Sequence, residues 1–269
     1  MTGKIVALLL LGLVRAAFAQ ETLAYGADPV QKLDIYAAQG PAPHRLVIVV
    51  HGGGWHRGDR RGGRMAARAF GPLGYTVASI DYRLYPPATG GAQAEDVAHA
   101  AAYLLAHATQ FGIDPGGFAL LGHSAGGHLV ALAGTNARYL TEAGVNPARL
   151  KAVIALDGVF DLPRFMPQFS SRLAVAMFGP TPADWARFSP VQLVPAMTAH
   201  PLFCLLHEDT LPKFVAEADE FTAALGARHE HVIEGVAPGL NHGQVYGLMG
   251  DPSLPIAGFI THCLHEAKL

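Results

Sequence analysis

The chain has 269 residues, a formal net charge of −2 at pH 7 and 51% hydrophobic residues, so it can bury a sizeable core. Charged residues make up only 15% of the chain, which excludes a disordered polyelectrolyte. No basic run is present, so a nucleic-acid partner has no electrostatic support, and the near balance of acidic and basic residues gives no strong overall steering of an ionic substrate.

The first residues predict a secretory signal peptide. Lys4 is followed by an apolar run over residues 5–14, and Ala17 and Ala19 form the small-x-small pattern of a cleavage site before Gln20. The apolar run is shorter than the roughly 20 residues that a membrane-spanning helix needs. We therefore expect residues 1–19 to be removed, and the mature chain to be secreted or periplasmic without stable membrane insertion.

The rest of the chain alternates between strand and helix patterns. Continuous apolar runs predict strands at 46–50, 75–80, 118–121, 152–156 and 202–206, and helical patterns cover 92–109, 126–137 and 213–225. Strands that are buried on both faces are typical of a parallel sheet covered by helices, and an opening segment over 22–36 has the pattern of an antiparallel edge. We predict one α/β domain over residues 20–269 with a mostly parallel, doubly wound sheet.

One long stretch, residues 158–201, interrupts this alternation. It carries seven prolines and several large apolar residues. Long irregular connections in compact domains are often functional lids, so we interpret the stretch as a small cap over the active site. Phe160 and Met166 within it, together with Trp55, are expected to line a substrate pocket.

Two glycine-rich motifs carry the chemistry. Gly122-His123-Ser124-Ala125-Gly126 fits G-x-S-x-G between a predicted strand and a predicted helix, which is the context in which a nucleophilic serine is presented. His51-Gly52-Gly53-Gly54-Trp55 follows another strand, and consecutive glycines allow backbone N–H groups to turn toward a ligand. We assign the N–H groups of Gly53, Gly54 and Ala125 to an oxyanion hole.

These motifs carry a family resemblance. HGGGW, then Asp81-Tyr82-Arg83-Leu84-Tyr85-Pro86, then GHSAGGHL, with FGPTP at 178–182, resemble the esterase branch of the α/β-hydrolase fold. That branch includes hormone-sensitive-lipase-like esterases, carboxylesterases and kynurenine formamidases. The resemblance runs from about residue 31 to the C-terminus and implies an α/β-hydrolase fold and acyl transfer to water, with no metal or organic cofactor.

The general base is expected near the C-terminus, because the triad of this fold runs serine, acid, histidine along the chain. His242, in Gly239-Leu240-Asn241-His242-Gly243, follows a strand-like segment at 229–233 and is expected on a loop that reaches Ser124. The alternatives all lie inside predicted strands or helices; they are His229, His231, His262 and His265.

The acidic partner is expected after the strand at 202–206. The resemblance places an aspartate a few residues before a proline, which favours Asp209 and leaves Glu208 as the alternative. His207 stands where that family often has a glycine, so the geometry of this loop differs from the usual pattern. Asp157 and Asp161, at the end of another strand, are a further alternative. The acid orients the imidazole and stabilises its charged form.

Cys204 and Cys263 are the only cysteines. Export makes a disulfide chemically feasible, but cysteine is a commonly buried residue whether paired or not, so two separate buried thiols are the favoured interpretation.

The sequence predicts a serine esterase that acts on small-molecule carboxylic esters. An aryl formamidase is an alternative, as is an esterase for feruloyl or acetyl groups on polysaccharides, which suits an exported enzyme. A non-catalytic binding protein on a hydrolase scaffold is the alternative of another class, since a fold alone does not establish activity.

Overall fold

The structure, a computed structural model, describes residues 20–269. The signal peptide predicted at 1–19 lies outside the described residues. Within them, eight strands form one sheet. The strands are β1 (Gln20–Ala24), β2 (Lys32–Tyr36), β3 (His44–Val50), β4 (Tyr75–Ile80), β5 (Ile113–His123), β6 (Leu150–Leu156), β7 (Leu202–Glu208) and β8 (Val232–Ala237).

The sheet has the order β1-β2-β4-β3-β5-β6-β7-β8. Strand β2 runs antiparallel to both β1 and β4, and every other neighbouring pair is parallel. Crossovers between parallel strands bring all their carboxyl ends to one edge of the sheet. The predicted α/β-hydrolase fold, with its mostly parallel sheet and its antiparallel edge, is confirmed.

Helices cover both faces of this sheet. They are α1 (Gly63–Phe70), α2 (Gly90–Ala106), α3 (Ala108–Phe111), α4 (Ala125–Thr135), α5 (Arg138–Glu142), α6 (Leu162–Phe169), α7 (Ser171–Phe178), α8 (Pro182–Ala186), α9 (Pro190–Leu193), α10 (Pro212–Ala227), α11 (His242–Gly247) and α12 (Pro255–Glu266). Among residues 20–269, none of the helices combines the length and apolar character needed to cross a bilayer.

Strand β3 shows why its run is apolar throughout. Leu46, Ile48 and Val50 point into one core, which also holds buried residues of α2, α4 and α10. Val47 and Val49 point into a second core with residues of α1 and α12. Since successive side chains of a strand alternate between faces, burial on both faces requires an unbroken apolar run.

The predicted elements match most of the observed ones closely. The clearest difference is the last strand, which the pattern placed at 229–233 and which the structure places at Val232–Ala237. Only Ala237 of this strand is buried, because β8 lies at the edge of the sheet. Glu234 and Gly235 interrupt its apolar residues, so an apolar run is a poor guide to this edge strand.

Helices α6–α9 all lie within the stretch at 158–201. Pro182 and Pro190 each occupy the first turn of a helix, where proline is tolerated because its missing N–H would have no intrahelical partner. Trp185 and Phe178 are buried, so the stretch packs on the main domain.

The expectation of two separate buried thiols is wrong. Cys204 in β7 and Cys263 in α12 form a disulfide across 59 residues of chain, rather than two separate thiols. Both side chains are fully buried in the core under α12, which brings the strand and the C-terminal helix together.

Candidate active site

Ser124 lies on the sharp turn between β5 and α4. Its backbone has φ 55° and ψ −118°, which is a strained conformation for a residue other than glycine. Ser124 N–H donates to the carbonyl of Leu156 at 2.9 Å, and its own carbonyl accepts from His128 N–H at 2.9 Å. These bonds tie the turn to β6 and to the first turn of α4, so the hydroxyl is fixed at the carboxyl edge of the sheet.

Glycines permit this tight turn. A Cβ on Gly122 would lie closer than 3.0 Å to the backbone of Gly126, and a Cβ on Gly126 would lie that close to the backbone of Val50 and His51. No L side chain fits at either position without movement of the backbone. The two fixed glycines of the G-x-S-x-G pattern therefore have a steric cause in this structure.

Ser124, His242 and Asp157 form a hydrogen-bonded chain. Ser124 Oγ lies 2.9 Å from His242 Nε2, and His242 Nδ1 lies 3.0 Å from Asp157 Oδ2. The carboxylate of Asp157 accepts from Nδ1–H, which leaves Nε2 free to accept the serine proton. This is the arrangement that a nucleophile, its base and an orienting acid require.

Asp157 directly follows β6 and is held by the neighbouring strand. Its backbone has φ 47°, which aspartate tolerates better than most residues, and its N–H donates to Leu206 O at 2.7 Å. Its second carboxylate oxygen, Oδ1, accepts from Glu208 N–H at 2.7 Å. With a fully buried side chain, the carboxylate is fixed by a backbone donor on one side and by His242 on the other.

The expectation that Asp209 would orient the histidine is wrong. Asp209 is exposed, and its Oδ1 accepts from the N–H of Gly239 at 2.9 Å, so it braces the loop before His242 rather than the imidazole. The alternative Glu208 is buried and turns back on its own loop, where Oε2 accepts from the N–H groups of Thr210 and Leu211.

The carboxylate that contacts His242 therefore comes from the end of β6 rather than from the end of β7. Leu156, the last residue of β6, pairs with Leu206, two residues before the end of β7, so Asp157 lies beside the last residues of β7. The one sequence signal for Asp157 was its place directly after a buried apolar run.

His242 is the first residue of α11 rather than a loop residue. Asn241 caps this helix by accepting from the N–H groups of Gly243 and Gln244. The Phe214 ring stacks on the imidazole with centroids 4.3 Å apart and planes 6° from parallel. The cap and the ring together restrict the orientation of the imidazole.

His123 supports the same histidine from the other side. Its Nε2–H donates to the carbonyl of His242 at 2.8 Å, and the two rings lie 4.5 Å apart. Burial lowers the pKa of His123 to about 3, and the charge of His242 adds to that shift. At neutral pH His123 is an uncharged donor, so it does not compete with His242 for the charge of Asp157.

The glycine loop runs beside Ser124. A Cβ on Gly52 would lie 3.1 Å from Ser124 Cβ, and Gly53 and Gly54 have φ of 119° and 59°. Among the described residues, the N–H groups of Gly53 and Gly54 have no backbone or side-chain acceptor. The loop thus brings free donors close to the serine.

A cavity of about 500 Å³ opens next to this loop. Its lining residues are His56, Tyr85, Pro86, Phe169, Ser170 and Leu173. The last three belong to α6 and α7 or lie between them, so the stretch at 158–201 supplies half of the lining.

The residues expected to line a pocket are not among them. Trp55 is buried and donates from Nε1 to His128 Nδ1 at 3.1 Å. Phe160 stacks on Phe221 in the core at 4.6 Å, and Met166 is fully buried. The pattern identified large apolar residues correctly but could not distinguish those that face the core from partly exposed Phe169.

Two groups of side chains in the described part of the chain have the composition of a metal site. The ligand atoms of His123, Asp157 and His242 lie within 4.8 Å of one another, but hydrogen bonds within the group and to Ser124 already use them. The second group is His207 of β7, Asp219 of α10 and Glu234 of β8.

Comparisons with known proteins agree with the fold and the motifs. The family model BD-FAE matches residues 33–212, which is more than half of the chain. A probable isoprenylcysteine alpha-carbonyl methylesterase ICMEL1 of Oryza sativa subsp. japonica is 30% identical over 158 residues, covering 56% of this chain and 37% of that protein. Esterase LipC of Mycobacterium tuberculosis is 36% identical over 146 residues, covering 51% and 36%. The match thus spans only about a third of these curated relatives.

Among solved structures, an inhibited esterase B from Lactobacillus rhamnosis is similar with a TM-score of 0.79 and 25% identity, covering 94% of this chain and 87% of that one. A truncated carbohydrate esterase from gut microbiota has a TM-score of 0.73 at 20% identity, covering 95% and 99%, which supports the fold alone. The expected resemblance to esterases of the α/β-hydrolase fold is confirmed.

Proposed function

This chain belongs to the BD-FAE family, and on that premise we propose that it is a serine hydrolase that cleaves small carboxylic esters through an acyl-enzyme. The observation that carries the proposal is the chain of hydrogen bonds from Ser124 Oγ through His242 to Asp157. The names of the relatives, which are esterases, support the reaction class.

In the first half-reaction, Ser124 Oγ attacks the ester carbonyl while His242 Nε2 takes the hydroxyl proton. Asp157 holds Nδ1–H and stabilises the imidazolium that forms. The new C–O bond leaves the carbonyl oxygen negative, and the N–H groups of Gly53, Gly54 and Ala125 are the proposed donors to it. The C–O bond to the alcohol then breaks, and His242 returns the proton to the leaving oxygen.

In the second half-reaction, water takes the place of the alcohol. His242 accepts a proton from the water as its oxygen attacks the acyl carbonyl, and the same oxyanion donors act again. Collapse of this intermediate releases the carboxylic acid and returns the proton to Ser124. Every proton is transferred by one histidine, so its fixed orientation between Phe214 and Asp157 is central to both steps.

The direct test is hydrolysis of p-nitrophenyl acetate and butyrate by residues 20–269, with Ser124→Ala beside the native chain. We expect turnover in the native protein and a loss of at least about a thousandfold in the variant. Retained turnover in Ser124→Ala would refute the nucleophile. Inertness of the native chain toward both esters and toward a fluorophosphonate probe would favour the binding-protein alternative.

A second experiment compares substrates in order to determine which kind of ester or amide the enzyme prefers. Rates on an aryl acetate, a feruloyl ester and N-formylkynurenine, measured with one preparation, rank the small-ester, feruloyl-esterase and formamidase alternatives. We propose that α6–α9 act as a cap that shapes this choice, because Phe169, Ser170 and Leu173 contribute to the cavity.

Export is a separate proposal. The leader pattern at 1–19 supports it, and so does the Cys204–Cys263 disulfide, since such bonds persist mainly in oxidising compartments. Expression of the full chain in a Gram-negative bacterium should place the protein in the periplasm, with Gln20 as the first residue by intact mass. Cytoplasmic protein that retains residues 1–19 would contradict it.

A further inference from the structure

Lys213 lies among three phenylalanine rings. Its Nζ is 5.2 Å from the centroid of Phe165, 6.0 Å from that of Phe169 and 5.3 Å from that of Phe214. Ammonium groups are attracted to the faces of aromatic rings, so these contacts hold a cation against an apolar surface.

Two of the rings flank the proposed nucleophile. Phe214 stacks on His242, which contacts the serine hydroxyl. Phe169 reaches the other side, where its ring lies 3.5 Å from the position that a Cβ would take on Gly54, in the proposed oxyanion loop. Lys213 contacts both rings, and it therefore lies at the rim between the base and the oxyanion loop.

Within the described part of the chain, no carboxylate pairs with the ammonium of Lys213. Across residues 20–269 no ion pair includes Lys213, and the nearby acids of the same helix, Glu217 and Glu220, pair with Arg164. Lys213 is the second residue of α10, whose first turn holds no acidic residue. Because the N-terminus of a helix carries partial positive charge, a lysine there adds to a positive field instead of cancelling it.

We propose that Lys213 is a specificity-determining residue that favours esters bearing a carboxylate group. The ammonium attracts the carboxylate to the rim of the site, while the phenylalanine rings contact the apolar part of the substrate. The chain as a whole has a net charge of −2, so this preference would come from local placement rather than from overall charge. The proposal rests on the esterase function proposed above.

The experiment compares substrates that differ in one charge. For a charge on the acyl side, the pair is 4-nitrophenyl hydrogen adipate and its methyl-capped diester. For a charge on the alcohol side, the pair is 4-acetoxybenzoate and methyl 4-acetoxybenzoate. The measured quantity is the ratio of kcat/KM for the charged ester to kcat/KM for its neutral partner, at low and high salt.

Three variants isolate the local charge. Lys213→Met removes the ammonium and keeps a stem of similar length, Lys213→Arg keeps the charge, and Lys32→Met makes the same change in net charge on β2, near the opposite edge of the sheet. We expect Lys213→Met to lower the ratio about threefold to fivefold for at least one pair, which is the range of a partly exposed ion pair. The other two variants should keep the native ratio, and salt should reduce it in the native chain.

An unchanged ratio for both pairs in Lys213→Met would overturn the proposal even though the neutral esters are turned over. An equal fall in Lys32→Met would also overturn it, because the effect would then come from net charge. Failure of the esterase function has a different signature, since the native chain would hydrolyse neither the neutral nor the charged esters.

Discussion

Asp157 and His242 are joined by a hydrogen bond of 3.0 Å although 85 residues separate them in the chain. Asp157 directly follows β6, and His242 begins α11 after β8, so the bond crosses the end of β7, which lies between those strands. Glu208 at the end of β7 completes the contact by donating its backbone N–H to Asp157. The Asp157 carboxylate is thus held by a main-chain donor as well as by the histidine.

This relationship predicts different effects for two aspartates. Asp157→Asn should lower kcat by about 10²- to 10⁴-fold, because an amide neither stabilises the imidazolium nor favours the required tautomer. Asp209→Asn should change kcat by less than about threefold, since among residues 20–269 the side chain of exposed Asp209 hydrogen-bonds only to Gly239 N–H. Initial rates on p-nitrophenyl butyrate show which of the two aspartates acts as the acid. Thermal melting shows that both variants fold. The reverse ranking would restore Asp209 as the acid.

Gly126→Ala should destabilise the protein by about 3 kcal/mol or prevent folding, because the added methyl group meets the backbone of Val50 and His51 closer than 3.0 Å. Gly258→Ala is the matched control, since nothing lies within 4 Å of its Cβ position in α12. That change should stabilise the protein by about 0.5 kcal/mol. Urea unfolding measures both, and equal effects of the two substitutions would contradict the steric account of the turn.

His128 predicts a pH-dependent stability. Burial lowers its pKa from the ordinary value of about 6.5 to about 4 in the folded chain, where Nδ1 accepts from Trp55 and Nε2–H donates to Phe188 O. Below pH 6.5 the unfolded chain binds a proton that the folded chain excludes, so the free energy of unfolding falls with decreasing pH by about 1 kcal/mol per unit. This contribution is fully present above pH 6.5 and is lost progressively toward pH 4.

Urea unfolding between pH 7 and 4.5 tests this slope. His128→Gln should be less stable than the native chain at pH 7 but should show a shallower decline, whereas His99→Gln, at an exposed site of α2, should keep the native slope. Buried His123 adds to the decline in all three proteins. Parallel curves for the native chain and His128→Gln would show that His128 is not the source.

The disulfide makes a further prediction. Replacing both Cys204 and Cys263 by alanine should lower the free energy of unfolding by about 2–4 kcal/mol, because the bond restricts the unfolded chain over 59 residues. Reduction with dithiothreitol should destabilise the native protein and leave the double variant unchanged. A free-thiol assay under denaturing conditions that found two thiols in the untreated protein would contradict the pairing.

Much of this site could be predicted from the sequence because local geometry dictates it. The turn around Ser124 needs glycines at 122 and 126, and those glycines identify it in the chain. His242 could be predicted from the sequence for a similar reason, since it follows the last strand. The contact of Asp157 with His242 was harder to predict from the sequence. Asp157 and Asp209 both follow buried strands, and only the directions of their side chains distinguish them.

The lining of the pocket was the part of the site that the sequence predicted least well. Whether Trp55 or Phe169 faces the cavity depends on how α6 and α7 pack on the glycine loop, and no local pattern encodes that packing. The pairing of the two cysteines likewise depends on α12 crossing β7, which joins residues far apart in the chain.

The position of Asp157 also means that the loop after β7 does not have to supply the carboxylate that contacts His242. Glu208 and Asp209 hold that loop and the following one in shape, but neither contacts the imidazole. The end of β6 therefore supplies the carboxylate that contacts His242, while the end of β7 supplies a backbone N–H to that carboxylate. Replacing the side chains of Glu208 or Asp209 therefore removes no direct contact to the imidazole, whereas Phe214 in the adjacent first turn of α10 stacks on it. A substitution at Lys213 changes the charge beside the site and leaves in place the hydrogen bonds that join Ser124, His242 and Asp157.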